Sequence, residues 1–554
     1  MLFFKKTIPV AITCLLFALT ICADPSTGET RQKEKFKKRN LIVVNDGMDV
    51  STFAKTVEGL DSRLKGYLPT QMTSMDFCVS FAGFGKFLYR SSAGDIQIDK
   101  EHLPNNLTPE LLAKGTDPLK YVIDTFHPAK REVFCSFRMN DTHDYKADSA
   151  YVGSTFKDTH PEYLFGKIGD VVPHGRWCGI DYGQKEVREK FCEYFQEVCQ
   201  NYDIDAVTLN FWRHMPLFKS VAWGKPVSAE EKAGLTDMMR KLRKIADTEG
   251  SKRKRPILIG LHIPDSAQYC EEHGIELEKW LSEDLADMLY MTEYFRLNKW
   301  EKSVELGKKY NTPVFACLTD ARVSSEPGLP YSTKMDKVRN SFEAYRGLSA
   351  LAWDAGVHGI YVFNKANPGF LPFMEIGDPE LIKFKDKVYF CSWDGGARPC
   401  DEPGKSLKGG AKYINLPDLS PNRPASVKDT APLALTVEMA EDISGTVKKG
   451  IAPEIFLLIR ADKGTVPELL KVEFNSSSLA SGKSVVEGTQ ILPFQSAWDF
   501  KDDKISSLYG DWIEYKLPLQ SVAKGESKVK ISLDGKSAPL KIYDLMVRVV
   551  YPKQ

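Results

Sequence analysis

Eight short runs of β-branched and aromatic residues, each separated from the next by a longer stretch, constrain this chain more than any other feature. The runs are Leu41–Val44, Met75–Ser80, Val133–Cys135, Ala206–Leu209, Ile257–His262, Met288–Met291, Val314–Leu318 and Gly359–Phe363. Between them lie segments with helical periodicity. In Glu186–Tyr202 the apolar residues Val187, Phe191, Tyr194, Phe195 and Val198 recur at helical spacing, and Ala229–Thr248, Trp300–Tyr310 and Met335–Ala355 are similar. Strand and helix alternating eight times predict an α/β fold, a (β/α)8 TIM barrel with enlarged loops over residues 40–390.

A chain of 554 residues exceeds one ordinary core, and the pattern changes past Tyr389. Pro399, Pro403, Gly404, Gly409, Gly410, Pro417, Pro421 and Pro424 crowd a linker or loop-rich junction at 391–428. Alternating runs then follow at Leu433–Glu438, Glu454–Ile459, Leu469–Phe474, Trp512–Leu517, Val529–Leu533 and Leu540–Val550. They predict a smaller antiparallel β-sandwich over 429–554.

At the other end, Lys5 and Lys6 precede an apolar run from Thr7 to Ile21, then Cys22-Ala23-Asp24-Pro25. These are the three parts of a secretory signal over residues 1–23, so the expected location is secreted or periplasmic. A lipid anchor on Cys22 is the alternative, against which Ile21 stands where a small residue is wanted. Residues 24–39, rich in Lys, Glu and Thr, are expected to be a flexible tether. No later segment approaches the roughly 18 apolar residues that a membrane span needs.

Lys and Arg number 75 against 74 Asp and Glu, so no overall field attracts nucleic acid or an anionic membrane. The 11 cysteines show neither a zinc spacing nor a disulfide framework, and Cys78, Cys135 and Cys317 lie inside apolar runs as core filler. Phosphate loops, serine-hydrolase elbows and paired-histidine zinc motifs are missing from the sequence.

Polar residues gather where the barrel runs end. Behind Val133–Cys135 come Arg138, Asn140, Asp141, His143 and Asp144; Arg and Asn suit hydroxyls or a carboxylate, and an Asp beside a His suits proton transfer. Asn210, Trp212, Arg213 and His214 form a second cluster, in which Trp212 could stack on a sugar ring. Asn210 is an amide and cannot exchange a proton near neutral pH. Glu293 and Asp320 are strand-end carboxylates, followed by Arg296 and Arg322. Asn45, Asp46, Tyr361 and Asn364 are placed at the same mouth. Each cluster also has a bland alternative: Asp141 capping a turn, Asp46 in an Asx-turn before Gly47, Trp212 in the core, the arginines as structural ion-pair partners.

The segments Asn45-Asp46-Gly47, Arg138-Met139-Asn140-Asp141-Thr142-His143-Asp144, Asp203-Ile204-Asp205-Ala206, Tyr294-Phe295-Arg296-Leu297-Asn298 with Trp300-Glu301, and Gly359-Ile360-Tyr361-Val362-Phe363-Asn364 together resemble the secreted bacterial glycosyl-hydrolase-like family 10 group. The resemblance covers roughly residues 40–390 and implies a TIM barrel acting on, or descended from enzymes acting on, carbohydrate. It also implies an acid at position 210, where this chain has Asn210, and a Glu at the seventh strand, where it has Asp320.

The expectation is an exported protein acting on a polysaccharide or oligosaccharide. Asp320 with Asp141 or Glu293 would cleave a glycosidic bond, and Asn45, Asp46, Arg138, Asn140, His143, Asp144, Asn210, Trp212, Arg213, His214, Arg296, Arg322, Tyr361 and Asn364 would hold the sugar. That scheme requires no metal or organic cofactor. A non-catalytic glycan-binding barrel is the alternative that Asn210 favours, and a lyase or esterase for acidic sugars is a third. Oligomeric state stays open.

Overall fold

The computed structural model describes residues 25–81, 83–146, 151–292, 296–321, 323, 337–392, 410–428, 431–485, 510–534 and 538–553. Eight strands close a barrel in chain order: β1 Leu41–Asn45, β2 Ser74–Cys78, β3 Glu132–Arg138, β4 Ala206–Asn210, β5 Leu258–Ile263, β6 Met288–Met291, β7 Val314–Leu318 and β8 Gly359–Val362. Every neighbouring pair is parallel, including the closing pair of β8 with β1. The expected (β/α)8 fold stands.

Alternation along each strand divides inside from outside. Ile42, Val44, Phe134, Ala206, Leu258, Met288, Tyr290, Phe315, Cys317, Tyr361 and Phe363 form the packed interior, so the barrel is filled rather than open. Gly260 is required in β5, because a Cβ there would lie 2.5 Å from the Tyr290 ring. Outward residues such as Leu41, Val43, Met75 and Val207 pack beneath the surrounding helices. The helix Ala229–Lys252 begins with a capping box between Ser228 and Glu231, which satisfies two otherwise orphaned backbone donors.

The stretch expected as a flexible tether instead holds a helix, Pro25–Lys35, tied to the barrel. Arg31 reaches Asp287 at 2.8 Å and Asp284 at 3.0 Å, and Lys35 reaches Asp284 at 3.1 Å. Arg39 then forks onto Glu132 with bonds of 2.8 and 3.0 Å. Lys and Arg in this segment look solvated in sequence, yet the partners of Arg31 and Lys35 lie some 250 positions away.

The second domain is a β-sandwich. One sheet runs Lys387–Phe390, Leu540–Val550, Glu454–Ala461, Asp511–Lys516 and Lys483–Ser484, with Ala425–Val427 also on Leu540–Val550; the other runs Leu433–Met439, Gly525–Leu533, Leu470–Phe474 and Ser477–Ser478. Ile455, Leu457, Ile459, Val529, Ile531, Leu545 and Val547 lie in the core of this domain. Lys387–Phe390, expected to be the end of the barrel region, belongs to this sheet and pairs antiparallel with Val549 to Met546. The sandwich therefore begins before the junction. Buried Arg339, ahead of the helix Phe342–Ala355, forks onto buried Asp544 of the sandwich and donates to Ser392 O at 3.1 Å through Nε, joining the two domains.

Candidate functional site

The barrel register sets Arg138 beside Asn210 and Asn210 beside His262, so these residues share a level at the carboxyl ends of β3, β4 and β5. Arg138 is the hub. Its Nη2 lies 2.9 Å from Asp46 Oδ2, just past β1, and its Nη1 donates to Asp141 Oδ2 at 2.7 Å. The other Asp141 oxygen faces His143 Nδ1 at 2.5 Å, accepts from the His143 amide at 3.1 Å, and lies 3.5 Å from His214 Nδ1. His214 is itself held by the Thr142 amide, which donates to its Nδ1 at 3.1 Å. Arg213 Nη2 sits 3.4 Å from His143 Nε2, with its guanidinium 5.8 Å from the Phe363 ring.

Charge state follows from these contacts. Burial by itself would raise the Asp141 carboxyl, but the charge of His143 when protonated and that of Arg138, with the hydrogen bond from His143, hold it well below the usual carboxylate range. Asp46 is likewise pushed up by burial and brought below its ordinary value by Arg138 and Arg213. Burial drives His214 well down, so it is neutral near pH 7. The His143 side chain, 38 % exposed, is the most open member of the cluster. Among the described residues, Asp141, His143 and His214 form the group able to hold a metal ion, with one donor atom of each within 4.8 Å of the others.

Several expected sugar contacts are structural instead. Asn45 points outward from β1, donating to Asp49 at 2.8 Å and accepting from Gly47 N at 3.0 Å. Asn140 latches two loops, donating to Pro216 O at 2.9 Å and accepting from Ile180 N at 3.1 Å. Asp144 pairs with Lys157 at 2.6 Å. Asn210 Oδ1 accepts from the amides of Trp212 and Arg213 at 3.0 and 2.9 Å, so it shapes the turn that delivers Arg213 and His214. Trp212 is only 6 % exposed and stands edge-on to Tyr269, giving no open face for a sugar. Tyr361 is buried inside the barrel rather than at its rim, stacked on Tyr290 at 4.3 Å. Arg296 lies 4.4 Å over the Trp300 ring and, with Lys299 and Glu438, lines a cavity of about 300 Å³ between barrel and sandwich. Asn364 follows β8 in the left-handed region at φ 59°.

Asp320 is buried, ion-paired with fully buried Lys365, and accepts from Tyr345 Oη at 3.2 Å. Its partner is this lysine, an outcome that the nearby Arg322 did not suggest. Glu293 and Arg322 lie outside the described residues.

Three buried groups were missed. Asp76, inside β2, accepts from Tyr361 Oη at 2.6 Å, and burial pushes its carboxyl up to about 7. His262 Nε2 donates to Thr292 O at 2.8 Å, and burial takes the imidazole down to about 4. Asp265, past β5, accepts from the amides of Leu297 and Asn298 at 3.0 and 2.9 Å; burial raises it to about 6. The signal was available for Asp76, an acid within an apolar strand run.

No family model matches this sequence, and no curated protein matches it. Among solved structures, a cycloisomaltooligosaccharide glucanotransferase from a Paenibacillus species is 10% identical at a TM-score of 0.35, covering 92% of this chain and 57% of its own. The GH36 α-galactosidase AgaB from Geobacillus stearothermophilus is 11% identical at a TM-score of 0.36, covering 89% and 55%. The glycoside hydrolase domain of PgaB from Bordetella bronchiseptica is 9% identical at 0.40, covering 62% and 96%. The chain thus spans a little over half the length of the first two, and these likenesses carry no argument about the site.

Proposed function

We propose that this protein acts on a saccharide at the carboxyl-end mouth of its barrel and hydrolyses a glycosidic bond there. One observation carries the proposal: at the mouth an imidazole, His143, is open to solvent and oriented by the buried carboxylate of Asp141 at 2.5 Å. A solvent-facing imidazole held by a carboxylate is an arrangement that general acid–base catalysis uses. Asp141 is then a positioning group rather than one of the two bond-cleaving carboxyls expected with Asp320. Asp46, ionised and 12 % exposed, is suited to stabilising positive charge that develops on the sugar ring. Glu293, two residues past β6, enters the proposal from its place in the chain as the second carboxyl.

Export through the segment 1–23 belongs to the same proposal, and the amino-terminal sequence of the mature protein tests it. A second reading, glycan binding without cleavage, is favoured by Asn210, whose side-chain oxygen is engaged by two backbone amides. Incubation with a panel of plant, algal and host polysaccharides, recording binding and new reducing ends together, separates the two. Hydrolysis predicts reducing ends that fall at least about a hundredfold in His143→Ala. Binding with no reducing ends would establish the second reading, and neither signal from any polysaccharide would remove both.

A further inference from the structure

We infer that Asp141, His143 and His214 form a binding site for one divalent first-row transition ion. Two loops supply the donors, the first following β3 and the second following β4, and one atom of each side chain lies within 4.8 Å of the other two. Asp141 Oδ1 is the meeting point, 2.5 Å from His143 Nδ1 and 3.5 Å from His214 Nδ1. The two imidazoles meet edge to face, 4.7 Å between centroids and 68° between planes, so their edges converge on that oxygen.

The surroundings are those of a supported ligand set. Arg138 holds the far oxygen of Asp141 at 2.7 Å, fixing the carboxylate plane while leaving Oδ1 turned to the histidines. His214 occupies the left-handed region at φ 53°, a conformation unusual for a residue with a Cβ, and the turn capped by Asn210 brings it there. His143 stands at the open side, giving a path from solvent and leaving coordination positions for water or a hydroxyl. Two imidazoles and one carboxylate suit zinc, cobalt or iron in the divalent state better than calcium or magnesium, which prefer oxygen donors.

Competing contacts are present and define what must change. The Thr142 amide donates to His214 Nδ1 at 3.1 Å, and Arg213 Nη2 lies 3.4 Å from His143 Nε2. Binding through the two Nδ1 atoms therefore exchanges the 2.5 Å bond between His143 and Asp141, and the Thr142 amide bond to His214, for coordination to the ion. The two arginines do not repel the ion outright, since Arg138 and Arg213 are balanced by Asp46 and Asp141.

The test uses the full chain, stripped with a chelator and dialysed, titrated with Zn(II) by calorimetry and with Co(II) by visible absorption. One ion per chain at micromolar or tighter affinity is expected, weakened at least about tenfold in His143→Ala and in His214→Ala. His127→Ala, which removes an imidazole paired with Asp205 at the opposite end of the barrel, should bind as the parent does. Two histidine variants are used because Asp141→Asn would also remove one of the two carboxylate charges on Arg138, and thermal unfolding checks that each is folded. No uptake by the parent chain, or uptake that both folded variants retain, overturns the site. The measurement needs no saccharide. A bound ion without glycan cleavage therefore leaves the metal site standing and removes the proposed hydrolysis, and cleavage by a chain that takes up no ion does the reverse.

Discussion

Arg138 of β3 reaches past β2 to Asp46 at the end of β1, closing a 2.9 Å ion pair across the barrel mouth. Because Asp141 takes the other arm of the same guanidinium at 2.7 Å, the loops after β1 and β3 share one cation.

Removing that cation leaves two buried carboxylates facing each other. Arg138→Met should lower stability by about 3–5 kcal/mol, read from denaturant midpoints at pH 7. Lysine at the same position restores the charge without the fork and should recover only part of the loss. A loss under about 1 kcal/mol for Arg138→Met would show that the mouth is held by something else.

Asp76 gives the fold a pH dependence of defined sign. Its carboxyl is raised from near 4 in the unfolded chain to about 7 in the barrel, so the native state binds the extra proton. The contribution is complete below pH 4, where both states are protonated. Stability then falls as pH rises towards 7, by up to about 1.4 kcal/mol per pH unit, and levels off above. Asp76→Asn keeps an acceptor for Tyr361 and carries no titrating group. Thermal unfolding from pH 5 to pH 8 should therefore show a flatter profile for the variant, and parallel profiles would remove this assignment.

Barrel and sandwich are expected to unfold together while Arg339 and Asp544 are paired. Both side chains are fully buried, so Arg339→Met strands a carboxylate and should cost about 3–5 kcal/mol. Calorimetry should then resolve two transitions where the parent shows one. A single unshifted transition would mean the pair contributes nothing to the junction.

The barrel was legible because its strands are buried on both faces and announce themselves as apolar runs, and because the helices between them keep their period. Lys387–Phe390 joins the sandwich and not the barrel that its place in the sequence suggests, since nothing local says which sheet a short strand will join. The Pro25–Lys35 helix has the composition of a tether for a related reason: its ion pairs with Asp284 and Asp287 are invisible to local pattern. At the mouth, Asp46, Arg138, Asp141, His143, Arg213 and His214 do converge as the strand-end rule implies. Asn45, Asn140, Trp212 and Tyr361 do not, because one residue of offset or one turn sends a side chain to partners within the fold instead of to a cavity: Asp49 for Asn45, backbone groups for Asn140, Tyr269 for Trp212 and Asp76 for Tyr361. The lysine partner of Asp320 lies 45 positions on, in the loop after β8, and charge spacing along the chain points to Arg322 rather than to Lys365.

The central claim is that this mouth receives a saccharide, and an oligosaccharide soaked into crystals tests it most directly. The account predicts sugar hydroxyls within hydrogen-bond distance of His143, Asp46 and Arg213, with a glycosidic oxygen facing the His143 ring. A sugar seated only on the sandwich, with the barrel mouth empty at saturating concentration, would contradict it.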